Sequence, residues 1–240
     1  MGLDGLQRAP WEAEGAAKRR VVRDLFASIA PRYDLMNTLM SLARHRRWRA
    51  QAVARLGLRG GETVLDVCCG TGDFMAPLAK AVGPTGRVAG ADFCPPMLER
   101  ARAKDFANLT VADACRLPYR NAAFDAATVG WGLRNVPDLG AALAEIVRVL
   151  KPGGRFVSVD TAQPRSAIGR WVSALAFRRL VPLMGALFGH GREYAYLPES
   201  TERFLSPEAL AEEFRRAGFR DVWIERRMLG HVALVGGSKP

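Results

Sequence analysis

The sequence predicts an α/β fold on a mostly parallel, seven-stranded sheet, with helices before it, a helical insertion late in the chain and an antiparallel hairpin at one edge. Three observations carry this reading. Short apolar runs alternate with amphipathic helical stretches from residue 63 onward. A glycine turn follows the first run and opens a helix. The last two runs are separated by only three residues, Met228, Leu229 and Gly230.

Residues 1–19 mix Gly, Ala, Pro and charges without period and read as a flexible tail, so the folded domain is expected over 20–240. Val21, Val22, Leu25, Phe26 and Ile29 recur at helical spacing until Pro31 stops that helix. A second helical pattern runs from about Asn37 to Leu56 and ends at Gly57, with Gly60 and Gly61 as a turn. Residues 20–60 thus read as a helical lid. TVLDV (63–67) is a buried strand, GTGDFMAPLAKAV leads into a helix, and RVAGAD (87–92) is the next strand. PPMLERARAK (helix), LTVAD and FDAATVG (strands), LGAALAEIVRVL (helix) and RFVSVD (strand) continue the alternation. KPGG at 151–154 supplies a helix stop and turn before that strand.

Residues 161–203 break the rhythm. Ile168, Trp171, Val172, Leu175, Leu180, Val181, Met184, Leu187 and Phe188 form an apolar stripe interspersed with Arg165, Arg170, Arg178 and Arg179. The stripe reads either as a helical cap on the core or as a surface for a lipid-like tail and anionic headgroups. The rhythm resumes at SPEALAEEFRRAGF, with Ser206 as N-cap, Pro207 at the first helical position and Gly218 closing the helix. DVWIERR and HVALVGG then form the hairpin.

Hydrophobic residues at 49% and charged residues at 25% fit a globular protein with a sizeable core. No apolar run reaches the roughly 18 residues that span a bilayer, and no secretory signal is evident, so a cytoplasmic location is expected. The four cysteines form no CxxC pair and only three histidines accompany them, so no metal site is expected. The formal net charge is +11, and residues 1–60 hold twelve basic against five acidic side chains. Such a regional excess favours an anionic partner. No aromatic-basic stripe or RNA-binding signature accompanies it, which disfavours nucleic acid and leaves a lipid surface or simply a solvated, arginine-rich face.

The chemistry concentrates in VLDVCCGTGDF. Gly70 and Gly72 let the backbone approach a ligand, and the N–H groups of the helix start can receive an anion. A dinucleotide fingerprint would need Gly or Ala where Met75 stands, which argues against NAD. Asp66, Asp92 and Asp113, the last beside Ala114, fall at or just after successive strand ends. Asp92 can accept ribose hydroxyls and Asp113 suits an adenine amino group. Three carboxylates around one crevice repel a pyrophosphate and suit a nucleoside that carries a sulfonium and an ammonium.

This arrangement resembles the class I S-adenosylmethionine methyltransferases, whose Rossmann-like sheet carries an antiparallel final strand. FASIAPRYDLMNTLMSLARHRRWR, GLRNVPD (132–138), RVLKPGGR (148–155) and YAYLPEST (194–201) further resemble the UbiE-type quinone C-methyltransferases, over about residues 21–236. The resemblance implies S-adenosylmethionine as cofactor, with Thr71, Asp92, Asp113 and Ala114 in contact and Gly130 nearby, where a serine also occurs in the family. It implies C-methylation of a prenylated quinol, foremost demethylmenaquinol to menaquinol. A ubiquinone-pathway benzoquinol is the nearest alternative and a small molecule outside quinone biosynthesis a more distant one. The expected location is then cytoplasmic, peripheral to the inner face of an anionic membrane; a homodimer is left open.

Methylating an aromatic carbon requires a ring hydroxyl, with pKa of roughly 10, to be biased towards phenolate. Arg134 and Asn135 follow a strand end, where such sheets bind ligands, and Arg134 can stabilise phenolate or orient a water. Its structural alternative is a salt bridge to Asp138. Tyr33 and Asn37 could fold over the acceptor as part of the lid. His190 in FGHGREY has no evident partner, and His45 in RHRRWR reads as part of a surface basic cluster.

Overall fold

The computed structural model describes residues 15–164 and 199–240. Its strands are β1 (Thr63–Val67), β2 (Arg87–Asp92), β3 (Leu109–Val111), β4 (Phe124–Gly130), β5 (Leu150–Thr161), β6 (Arg220–Arg227) and β7 (Val232–Ser238). Its helices are α1 (Gly15–Ile29), α2 (Tyr33–Ser41), α3 (Arg44–Leu56), α4 (Met75–Val82), α5 (Pro95–Arg102), α6 (Leu139–Val149) and α7 (Pro207–Arg216). One sheet runs β3-β2-β1-β4-β5-β7-β6. Strand β7 is antiparallel to β5 and β6, and the other pairs are parallel. The expected hairpin forms, with β7 inside the sheet and β6 at the edge.

The apolar runs of the central strands are continuous because each strand is covered on both faces, and the two-residue period sorts them between two cores. Leu65, Ala127 and Phe156 face α6 and α7. Their neighbours Val64, Ala126 and Val157 face α3 and α4. On the first face Phe156, Phe214 and Phe219 meet with ring centroids 5.0 to 5.4 Å apart, a cluster that adds about 0.5–1.5 kcal/mol per pair beyond simple burial. Ser206 caps α7 by accepting the Ala209 N–H at 3.2 Å.

The N-terminal region departs from the sequence reading in two places. Helix α1 begins at Gly15, ahead of Arg20, so part of the expected tail is folded. The expected helix over 37–56 is broken at Leu42 and Ala43, which both take left-handed backbone, φ 51° and 58°. Thr38 and Ser41 hydroxyls donate to the carbonyls of Asp34 and Asn37, and the N–H of Ala43 closes on Thr38 O at 2.7 Å. These local bonds finish α2 without a glycine. The KPGG turn is also different: it lies within β5 as a bulge, where the β4 register passes from Phe124↔Leu150 to Ala126↔Arg155. The stripe at 168–188, His190 and most of YAYLPEST lie outside the described residues.

Candidate active site

Strand order reverses between β1 and β4, and crevices at such a switch point lie beyond the carboxyl ends of the strands. There the chain after β1 turns sharply, with Cys68, Gly70 and Gly72 at φ 55°, 54° and 84°. A Cβ on Gly72 would stand 2.6 Å from the Phe106 ring, so this glycine is needed for space as well as for backbone. At the end of β2, Asp92 accepts the Gly70 N–H at 2.8 Å and the Cys94 N–H at 2.9 Å. Burial pushes its carboxyl up to about 6, against the pull of those N–H groups. Asp66, from β1, accepts the Thr128 hydroxyl at 2.7 Å, and burial raises it to about 7.

One cavity brings together Gly70, Asp92, Asp113, Ala114, Gly130 and Asn135. Asp113 accepts the Cys115 N–H with one oxygen and pairs with Arg19 of α1 at 2.7 Å with the other. Each oxygen keeps a second lone pair for a ligand amino group. Asp66 and Thr71 line a smaller adjoining cavity with Gly70 and Gly130. The Thr71 hydroxyl donates to Asp34 Oδ1 of α2 at 2.5 Å, tying the glycine turn to the N-terminal helices. Gly72 lines neither cavity; it shapes the turn. At Gly130 a Cβ would lie 2.8 Å from the Phe74 ring, so the bulk that a serine would bring is replaced by that ring.

A third, largely apolar cavity lies between the N-terminal helices and the sheet. It shares Phe26, Tyr33 and Trp131 with the crevice beside Asp92, and Tyr33 borders all three cavities. Trp131 is held there in left-handed backbone, φ 55°, strain of the kind found where a side chain must be aimed. Tyr33 packs edge-on against Phe26, and desolvation raises its hydroxyl above the usual range.

Arg134 lines the third cavity, but its ion-pair partner is Asp160 at 2.5 Å, not Asp138. Asp138 instead N-caps α6 by accepting the Ala141 N–H. The guanidinium also donates to the Trp131 carbonyl at 3.1 Å and to Ser200 Oγ at 3.4 Å. The Asn135 amide donates to the same Trp131 carbonyl, so both residues brace the loop that aims the indole. His45 is another correction: it is 5% exposed and lines the cavity rather than the surface.

Sequence reasoning also missed Arg49, Asp160 and His231. His45, Trp48, Arg49 and Ala52 fall at helical spacing on one buried face of α3, with Arg46 and Arg47 exposed on the other. That periodicity could have separated the two kinds of arginine. Asp160 is the last residue but one of β5, as Asp66 is of β1, and Asp92 is the last of β2, a repeat of the same strand-end signal. Nothing in the local sequence points to His231.

The fold is shared with a SAM-dependent methyltransferase from Thermotoga maritima, with TM-score 0.67, 23% identity, and 91% of this chain and 100% of that one covered. It is shared also with phosphoethanolamine N-methyltransferase 2 of Haemonchus contortus, solved with S-adenosyl-L-methionine, with TM-score 0.59, 16% identity, and 81% and 52% covered. The demethylmenaquinone methyltransferase of Lactiplantibacillus plantarum is 44% identical over 91% of this chain and 95% of its own. That of Desulfitobacterium hafniense is 42% identical over 94% and 92%. The ubiE/COQ5 methyltransferase family matches residues 14–239, nearly the whole sequence. The chain therefore belongs to the ubiE/COQ5 methyltransferase family.

Proposed function

We propose that the protein transfers a methyl group from S-adenosylmethionine to a ring carbon of demethylmenaquinol, giving menaquinol. The observation that carries the reading is the apolar cavity that meets the carboxylate-lined crevice at Phe26, Tyr33 and Trp131. An apolar ring and a charged nucleoside can adjoin there without sharing solvent. Relatives that match most of the chain bear the name demethylmenaquinone methyltransferase.

The residues fit the cofactor. Asp92 has lone pairs for ribose hydroxyls, Asp113 and Ala114 border the place for adenine, and Asp66 and Thr71 the place for the amino-acid end. Buried carboxylates with raised pKa favour a cationic ligand over a pyrophosphate. The bound sulfonium supplies an electrophilic methyl group. Deprotonating a ring hydroxyl raises electron density at the adjacent carbon; once that carbon has taken the methyl, its hydrogen leaves as a proton and the ring is aromatic again. Arg134, oriented and largely neutralised by Asp160, offers N–H groups to the developing phenolate rather than a bare charge. His231 lines the same cavity, and burial lowers its pKa, so it is neutral near pH 7 and able to accept a proton. Tyr33 and Asn37 close the cavity from α2 as the lid.

Two features support peripheral contact with an anionic membrane from the cytoplasmic side. Leu39 and Leu42 of the α2–α3 corner and Leu229 of the β6–β7 turn are exposed, and Met40 and Met228 beside them line the acceptor cavity. Arg44, Arg46 and Arg47 are exposed next to that corner. No described helix is long and apolar enough to cross a membrane. Flotation with anionic vesicles should occur at low salt and fail at high salt, and replacing Leu42 and Leu229 by Asp should abolish it; no flotation at low salt would remove the membrane from the reading. For the reaction itself, a strain lacking the gene should accumulate demethylmenaquinone, and accumulation of a demethylated benzoquinone would reassign the acceptor.

A further inference from the structure

Arg49 is the buried cation of this site that neither the motifs nor the proposed chemistry has used. It lies on α3, is 5% exposed, and lines the small cavity with Tyr33, Asp66, Thr71, Asp73 and Gly130. The guanidinium stacks over Trp131, 4.6 Å from the ring centroid. Its Nη1 donates to His45 Nδ1 at 2.6 Å, and its Nη2 lies 3.4 Å from Asp73 Oδ2. A histidine that accepts at Nδ1 carries its proton on Nε2 and is neutral, so His45 takes none of the arginine's charge.

Two polar atoms in this cavity lack a hydrogen-bond partner among the described residues. One is a donor, Arg49 Nε, and the other an acceptor, Asp73 Oδ2. A buried donor without a partner is costly, and Arg49 Nε has none, while Asp73 Oδ2 has only the 3.4 Å ion pair to Arg49 Nη2, so the paired side chains keep one donor and one acceptor for a ligand. The Nε is 3.9 Å from where a Cβ on Gly130 would sit, a position that the Phe74 ring crowds at 2.8 Å, so the backbone of Gly130 and that ring close this part of the wall around the guanidinium. Asp73 is already engaged through its other oxygen by Lys104 at 3.2 Å, and Asp66 stands nearby as a second carboxylate. The cavity wall therefore offers an N–H on a cation and a carboxylate oxygen side by side, the spacing at which the carboxylate and ammonium of an α-amino acid sit.

We infer that Arg49 and Asp73 form a clamp for an α-amino-acid zwitterion: Arg49 Nε–H receives the carboxylate of the methionine moiety of the cofactor, and Asp73, with Asp66, receives its ammonium. The inference rests on the cofactor reading above and adds a consequence for the lid. Arg49 belongs to the N-terminal helices, so the amino-acid end of the bound cofactor, its carboxylate on Arg49 and its ammonium on Asp73, bridges α3 to the turn after β1. Cofactor binding then orders the same helices that wall the acceptor cavity. Thr71 and Asp34 supply a parallel tie between α2 and that turn.

The test compares S-adenosylmethionine with its decarboxylated analogue, which keeps the nucleoside, sulfonium and ammonium, by calorimetry on the purified full chain. Wild type should bind the carboxylate-bearing form on the order of tenfold or more tighter, the value of one charge-assisted hydrogen bond. Arg49→Gln should collapse that ratio towards one by weakening S-adenosylmethionine alone. Arg59→Gln, exposed just past the end of the same helix, should leave it unchanged. A wild-type ratio near one overturns the inference, as does an Arg49→Gln variant that weakens both ligands alike, the signature of a tie to Asp73 and nothing more. Should Arg49→Gln fail to fold, Arg49→Lys keeps the charge but loses Nε and must lower the ratio; an unchanged ratio overturns the assignment. No quinol enters the assay, so a wrong acceptor leaves the outcome intact, whereas binding of neither ligand removes the cofactor reading and this clamp together.

Discussion

Replacing Asp92 by Asn separates what the carboxylate does for the ligand from what it does for the fold. Asp92 is 6% exposed, and its rise from 3.8 to about 6 means that the folded state binds a proton more tightly than the unfolded chain does. Stability is therefore lost as pH rises from about 4 to about 6, and above that the ionised group costs on the order of 3 kcal/mol, at about 1.4 kcal/mol per pH unit. Asparagine removes this cost. It keeps one acceptor and turns a donor towards either the Gly70 or the Cys94 N–H, leaving that N–H unpaired at a cost of about 1–3 kcal/mol. The two effects nearly cancel at pH 8, so the ligand-free variant should melt within a few degrees of wild type by calorimetry. Affinity for S-adenosylmethionine has no such compensation. Losing an ionised acceptor for the ribose should weaken binding on the order of 10- to 100-fold. Wild-type affinity in a folded Asp92→Asn variant would refute the assignment, and a collapse in melting temperature would refute the balance drawn here.

The remaining expectations are independent of that one. Asp66, raised to about 7, should ionise when a cationic ligand arrives, so binding of S-adenosylmethionine at pH 6.5 should release protons and weaken as pH falls. Calorimetry in buffers of different ionisation heat counts them, and a count of zero would contradict the placement. Arg134→Lys keeps the charge but loses the planar fork that meets Asp160 and the Trp131 carbonyl, so turnover should drop on the order of 10-fold or more with cofactor affinity retained. Unchanged turnover would leave Arg134 a structural role. At Gly90 a Cβ would stand 2.8 Å from both Cys69 Sγ and Leu109 Cδ2, so Gly90→Ala should cost about 1–3 kcal/mol, read as a lower midpoint in denaturant.

What the sequence made legible follows from how local each signal is. A parallel sheet places its strand ends along one edge, so Asp66, Asp92 and Asp113 could be grouped from alternation alone. Met75 could exclude a dinucleotide because the fingerprint is a matter of adjacent residues. The break after α2 was hidden because Leu42 and Ala43 take left-handed backbone without the glycine that usually marks it. His45 and Arg49 were hidden by composition: in RHRRWR the charges outweigh Trp48, and only the helical period separates the buried pair from Arg46 and Arg47. Arg134 and Asp160 are 26 residues apart, a pairing set by adjacent parallel strands, whereas the nearby Asp138 was the partner that sequence proximity suggested.

The central claim is that the apolar cavity beside the cofactor crevice presents a naphthoquinol ring to the methyl donor. It is tested most directly by incubating the purified protein with methyl-labelled S-adenosylmethionine and, in separate vesicle preparations, reduced demethylmenaquinone and a reduced demethylated benzoquinone of equal prenyl length. Label should enter the naphthoquinol as menaquinol, and Arg134→Lys should slow its entry. Label confined to the benzoquinol, or label in neither while S-adenosylmethionine still binds, would contradict the account.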